Sequence, residues 1–404
     1  MRPAIGKSRT LLAIALTVVV VASALAGASA PAPSAGADAG EESGRIVTNE
    51  VSDGEHAASA VEQSEPTRID SCTELSEPGR YILTDDIEAD DASQCLRIRA
   101  SDVVIDGGGH TVNGTGAFGT AGVSVGTWQT GVSNVTVRNL TVSGWDDGVL
   151  IRNATRGTVA NVTATESRIG VLAMNTSRTR FAGVRAVSNA VHGVSLADAS
   201  RGNRLENVTA AGNALFGVRL GADASGNGVR NATARGNEYG VVLAGASGNR
   251  LVGGEATENR IAGVWLSLAT DNLVADLRAS NRFYGVFLAD ESANNTVRNV
   301  SAVGNAVGFR LRSAHENRLL DGVATDGRDG LLLISSDGNR VVGNRVTDNG
   351  RGVSLFDSDD NAFRGNEIRE NRRDVTVRRG SENNTISGAT DRENVPRSGD
   401  ALEE

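Results

Sequence analysis

Asp146 and Asp147 stand side by side in the stretch WDDGV, and paired carboxylates are residue types that can cleave glycosidic bonds. In inverting hydrolysis one carboxyl protonates the leaving oxygen while the other activates water, across roughly 6.5 to 9.5 Å. The flanking stretches TWQTG and SRIG supply no third carboxylate and no His. An acidic surface corner is therefore preferred to a catalytic pair. Eliminative cleavage needs a base beside a uronate and a group that neutralises its carboxylate. Asp198, Asp290 and Asp357 recur five residues beyond a Gly, but the column is interrupted, so no cofactor is assigned beyond weak Ca at such corners.

Passive sugar binding has more residues behind it. Seven of the 14 aromatic residues fall between Phe216 and Phe309. Phe216, Tyr239 and Tyr284 each precede a repeated Gly, while Trp265 and Phe287 take the outward place two residues after it, with Arg219, Val242 and Arg310 in flanking copies. Rings can stack on pyranose faces while Arg reads hydroxyl or carboxylate groups. Rings that merely cover a sheet are the competing reading. Arg180, Arg204, Arg250, Arg318 and Arg340 form a second outward column, expected to pair with acids.

The elements that must position these residues repeat. A Gly, aliphatic, any, aliphatic unit recurs at Gly122, Gly148, Gly170, Gly193, Gly217, Gly240, Gly263, Gly285, Gly308, Gly330 and Gly352, with Asp374 in the same place. From Gly148 the interval is 22 to 24 residues. That period suits leucine-rich repeats as well as β-solenoids. The segments here are short, Val-rich and broken by Gly, Asn or Ser, which favours three short strands per turn. In GVSL, Val194 and Leu196 share one side of a strand and point inward. The fold class is thus all-β, a parallel β-helix of about twelve coils, roughly 55 to 60 Å long at one strand spacing per coil.

Asn marks the corners. One column runs Asn203, Asn227, Asn249, Asn272, Asn295, Asn317, Asn339, Asn361 and Asn384; a second runs from Asn189 through Asn213, Asn237, Asn259, Asn281 and Asn305 to Asn349 and Asn371. Asn tolerates left-handed backbone, and its amide donates and accepts along a stack, so both columns are read as structural ladders. In IDGGGHTVNG the three Gly fit a tight first corner better than Asp106 and His110 fit an acid and base. Eleven glycosylation sequons, including Asn134, Asn139, Asn161, Asn207 and Asn299, follow the same Asn and Thr alternation.

The termini and charge bound the setting. Arg2, Lys7 and Arg9, an apolar run from Leu11 to Leu25 and AGASA have the layout of a signal peptide, residues 1–28, cleaved after Ala28. Residues 29–68 read as a disordered acidic linker, 69–121 as an N-terminal cap with first coils, 122–388 as the repeats and 389–404 as a flexible tail. Cys72 and Cys95, one coil length apart, read as a disulfide in an exported protein, with a free or metal-bound pair as the alternative. With 40 basic and 49 acidic residues, and Lys7 the single lysine, the chain resembles secreted proteins of salt-loving archaea. Acid in excess argues against nucleic acid as a partner.

The stretches GVSLADASRGNRLENVTAAGN, GVFLADESANNTVRNVSAVGN and VVIDGGGHTVNG resemble the right-handed parallel β-helix of NosD-like proteins, within the wider class of carbohydrate-binding proteins and sugar hydrolases, which implies a right-handed parallel β-helix solenoid here. The resemblance covers about Cys72 to Gly388. It implies a role in copper supply to nitrous-oxide reductase for some members and secreted, polysaccharide-related roles for others. Copper wants His, Met and thiolate, yet Met174, His56, His110, His192 and His315 are scattered, and no metal site is assigned. WDDGV also resembles the adjacent Asp pair of polygalacturonases, but the Gly-His-Gly of that family is missing.

The expectation is an extracellular or cell-surface, non-catalytic protein that binds a polysaccharide or surface glycan, touching membrane only through an uncleaved signal segment. A polysaccharide lyase or glycoside hydrolase is the alternative, and a NosD-type accessory factor the third.

Overall fold

In the computed structural model, residues 65–378 and 380–387 are described, and all belong to one unit. The expected signal peptide and tail, and the linker up to residue 64, lie outside them. Strand structure starts at Thr67–Ile69, inside the last residues expected to be linker.

The chain winds as a parallel β-solenoid with no helix among the described residues. One sheet stacks 14 strands, from Thr73–Leu75 to Val375–Arg378, each paired in parallel with the next coil. A 24-stranded sheet forms the remaining sides. Twelve of the 14 rungs are the repeats from Gly122 to Asp374; the two before them, Thr73–Leu75 and Gln94–Ile98, lack the Gly anchor and so escape the pattern. Cys72 and Cys95 join these first turns by a disulfide.

Alternation decides what is inside. Val194 and Leu196 are fully buried, as are their partners Val218, Val241, Val264 and Val286 in successive coils. An Ala column comprising Ala164, Ala186, Ala210, Ala234, Ala256 and Ala279 narrows the prism opposite the repeat Gly. That Gly is required by crowding, not by backbone angle: a Cβ on Gly193 would lie 2.6 Å from the Gly217 carbonyl oxygen and 2.8 Å from Asn213 Nδ2. Two of the large aromatics, Phe309 and Trp145, fill the interior, with Trp145 Nε1 donating to the Val112 carbonyl at 3.0 Å.

Both Asn columns form hydrogen-bonded ladders. Asn203 Nδ2 donates to Asn227 Oδ1 at 2.9 Å and the pattern runs on to Asn384. The second column is interrupted at Gly327, whose N–H donates to Asn349 Oδ1 at 2.9 Å. A third, short ladder links Asn344 to Asn366. The ladder Asn residues do not have positive φ; the left-handed Asn residues are a different set. These are exposed or half-buried bends such as Asn207, φ 54°, and Asn299, φ 49°, and they include ten of the eleven sequon Asn residues. Asn thus answers two separate demands, an amide at buried corners and αL tolerance at outer bends.

Candidate functional site

On the outer side of the 14-stranded sheet, register sets two columns of outward side chains. The first runs Asp147, Ile169, His192, Phe216, Tyr239, Ala262 and Tyr284, then on through Val307 and Asp329 to Arg351. The second runs Leu172, Ser195, Arg219, Val242, Trp265, Phe287 and Arg310. All seven candidate ligand-binding residues therefore share one face.

The rings pack on one another in two groups. Phe216 meets Tyr239 edge-on with centroids 5.6 Å apart, and Tyr239 stacks on Trp265 at 4.8 Å. Tyr284 lies 5.0 Å from Phe287, and the Arg310 guanidinium sits 4.9 and 5.0 Å from these two rings and bonds the Tyr284 hydroxyl. The rings are half-buried, so they both cover the sheet and leave part of a ring layer to solvent. Trp265 Nε1 and Arg310 Nε are buried with no partner among the described residues.

An acid and an Arg close each end of this row. At the N-terminal end Arg168 bonds both Oδ atoms of Asp146 and reaches Asp147 Oδ1 at 3.3 Å. Asp146 Oδ2 also accepts the Gly119 N–H at 3.0 Å, which fixes the loop that carries exposed Phe118 over Arg168. Asp146 is thereby a loop anchor. A second loop places Trp128 over Arg152, 5.2 Å from ring centre to guanidinium, at the other edge of the sheet. At the C-terminal end Asp329, fully buried, is held by Arg328 and Arg351.

Between those ends Arg219 has no ion pair among the described residues. Its hydrogen bond goes to Ser195 Oγ at 3.3 Å, and burial pushes its pKa down, with Asp198 opposing. His192 stacks flat on Phe216, centroids 4.8 Å apart, and its Nδ1 is buried without a partner. Burial, then Arg219 and Arg168, push its pKa down to about 4, so the imidazole is neutral at pH 7. Asp147 moves the other way, up to about 6, chiefly through burial.

His192 is the member that sequence reasoning weighed only as a copper ligand. The signal was in the spacing, because His192 precedes Gly193 as Phe216 precedes Gly217. The two loops gave no such signal, because neither repeats.

The opposed shifts give a testable pH dependence. Folded His192 resists protonation, so its contribution to stability is lost as pH falls from about 6.5 to about 4. Folded Asp147 holds its proton longer, so its contribution is lost as pH rises from about 4 to about 6. The wild type is expected to be nearly flat across this window in denaturant unfolding. Asp147→Asn should make stability rise with pH there, and His192→Phe should make it fall.

The donor set does not fit a copper centre. Cys72 and Cys95 are bonded to each other, His110 pairs with Asp86 at 3.2 Å, and His315 lies between Glu291 and Asp337. Among the described residues no group of three His, Cys, Asp or Glu residues comes together to hold a metal ion.

Residues 252–389 match the family described as "Periplasmic copper-binding protein (NosD)", and residues 170–320 match "Right handed beta helix region". Among solved structures, the Azotobacter vinelandii mannuronan C-5 epimerase AlgE4 A-module is 18% identical with a TM-score of 0.50, over 82% of this chain and 93% of that one. The periplasmic alginate epimerase AlgG is 15% identical with a TM-score of 0.40, over 76% and 78%. The Dettilon tailspike protein is 11% identical with a TM-score of 0.46, over 77% and 60%. No curated protein matches the chain. At these identities the likeness to AlgE4 is one of fold. The two family matches and the AlgE4 structure agree on one fold, a right-handed parallel β-helix, and over residues 252–389 the chain is similar to the NosD family.

Proposed function

We propose that this protein is exported and that the face between Arg168 and Arg310 binds an acidic polysaccharide without cleaving it. The observation that carries the reading is Arg219, a largely buried guanidinium bonded to Ser195 but paired with no carboxylate among the described residues. A cation kept from water is costly until an anion meets it. A sugar carboxylate would supply that anion in bidentate geometry, while the exposed parts of Phe216, Tyr239 and Trp265 would take the neighbouring sugar rings. The Cys72–Cys95 disulfide supports an oxidising compartment and hence export.

The experiment is binding of mannuronan oligomers to the full-length protein, read by calorimetry; mannuronan is the polymer named for the epimerase of like fold. Arg219→Ala should weaken binding at least tenfold and Trp265→Ala about tenfold, with folding unchanged by circular dichroism. Equal affinity in both variants would sink the reading.

One observation favours a second reading, eliminative cleavage: His192 stacks on Phe216 and its Nδ1 has no partner among the described residues, although a group held near pKa 4 is a weak base. In that case it would take the proton beside the uronate carboxylate held by Arg219, the bond to the leaving oxygen would break, and that oxygen would gain a proton. New double bonds, seen by ultraviolet absorbance with the wild type and absent with His192→Ala, would select this reading over passive binding.

A further inference from the structure

The column Arg180, Arg204, Arg250, Arg318 and Arg340 was expected to be neutralised by acids, yet among the described residues Arg180 alone has a carboxylate partner, Glu206 at 2.8 Å. Elsewhere on the prism, Arg residues do pair with an acid one coil away, as in Arg235 with Glu258 at 3.0 Å and Arg260 with Glu238 at 2.6 Å. Beside Gly228 itself the pattern fails. Arg178, Arg201, Arg204, Arg230 and Arg250 are all exposed, and none makes an ion pair among the described residues.

Gly228 sits between Arg204 and Arg250 in register, on a strand of the 24-stranded sheet and so on a different side from Arg219. Its φ is not positive, and an added Cβ would meet nothing within 4 Å. Neither backbone nor crowding demands Gly there. Gly within a strand costs stability and often marks a place where a ligand approaches the backbone closely. Here it removes one rung from an outward column and opens a cleft of about 540 Å³ bounded by Arg204, Arg230 and Arg250. A second opening of about 600 Å³ continues around the corner past Arg178 and Arg201, sharing Gly202 and Gly226 with the first. Glu206, the acid in the first cleft, is already occupied by Arg180.

We infer that this Arg-rimmed cleft is a second binding site, for a stretch of polyanionic polysaccharide, independent of the site at Arg219. Arg204 and Arg250 are two strand spacings apart, about 10 Å along the prism. The volume is that of a site for several linked rings, larger than one inorganic anion needs. Charges repeated along a chain match both features, and successive guanidinium groups can take carboxylate or sulfate groups bidentately.

The test uses the full-length Arg219→Ala chain, so that the other face is silenced, with polygalacturonate as the polyanion, dextran as the neutral polymer and inorganic phosphate as the free anion. Arg204→Ala with Arg250→Ala should lower the remaining polygalacturonate affinity at least tenfold, and Gly228→Leu, which refills the rung without touching a charge, should do the same. Dextran and phosphate should bind negligibly. Unchanged affinity in both variants, or phosphate binding as tightly as the polymer, would overturn the inference. If Arg219→Ala alone changes nothing while these variants do, the reading of the other face fails and this one stands.

Discussion

Asn227→Asp is expected to destabilise the protein by about 3 kcal/mol or more at neutral pH, although the two side chains have nearly the same shape. Asn227 is fully buried. Its Oδ1 accepts from Asn203 N at 3.0 Å and from Asn203 Nδ2 at 2.9 Å, while its own Nδ2 donates to the Ser200 carbonyl at 3.0 Å and to Asn249 Oδ1 at 3.0 Å. Asp keeps both acceptances and loses both donations. It also faces two oxygens with a charge that a dry corner cannot solvate. The carboxyl should therefore hold its proton, with a folded pKa above the unfolded one. Stability is then lost as pH rises through that folded value and partly regained on acidification. Denaturant unfolding at several pH values measures this. The control is Asn207→Asp at an exposed bend with φ 54°, where a change within about 0.5 kcal/mol is expected. Native Asp276 and Asp321, φ 56° and 52°, already hold equivalent bends. Equal losses at the two positions would show that the ladder is not what holds the coils in register.

Arg351→Ala should cost about 3 kcal/mol, near the lower end of what breaking a buried ion pair costs. Asp329 has no exposed surface, and Arg351 grips it through Nε and, at 2.9 Å, through Nη2. Arg328, itself largely exposed, retains one bond at 2.8 Å, which keeps the loss from the upper end of the range. Removing the acid as well, in Asp329→Leu with Arg351→Leu, should recover most of the loss, because a packed apolar pair needs no desolvated charge. The difference between this double variant and the sum of Asp329→Leu and Arg351→Leu made singly measures the coupling. A loss below about 1 kcal/mol for Arg351→Ala would mean that solvent reaches Asp329 and that the pair does not close the C-terminal end of the face.

What could be read from the residues follows from what repetition can express. Val194, Leu196 and Gly193 recur because every coil meets the same inward packing and the same close approach. Asn recurs because each amide needs an identical neighbour to bond. Features that occur once leave no such trace. The bond from Gly119 to Asp146, which turns a candidate acid into a loop anchor, joins positions 27 apart with no counterpart in later coils. The first two rungs lack the Gly and were therefore merged with the cap. Arg204 and Arg250 were legible as members of a gapped column, but whether acids neutralise them depends on side-chain reach, which no period encodes.

In the proposed role Arg219 and the rings beside it form one floor for an acidic sugar chain. The most direct measurement is a crystal structure of the full-length protein with a mannuronan oligomer. It should show a sugar carboxylate on the Arg219 guanidinium and successive rings lying over Phe216, Tyr239 and Trp265. An oligomer bound at saturating concentration away from this face, with Arg219 still bonded only to Ser195, would contradict the account.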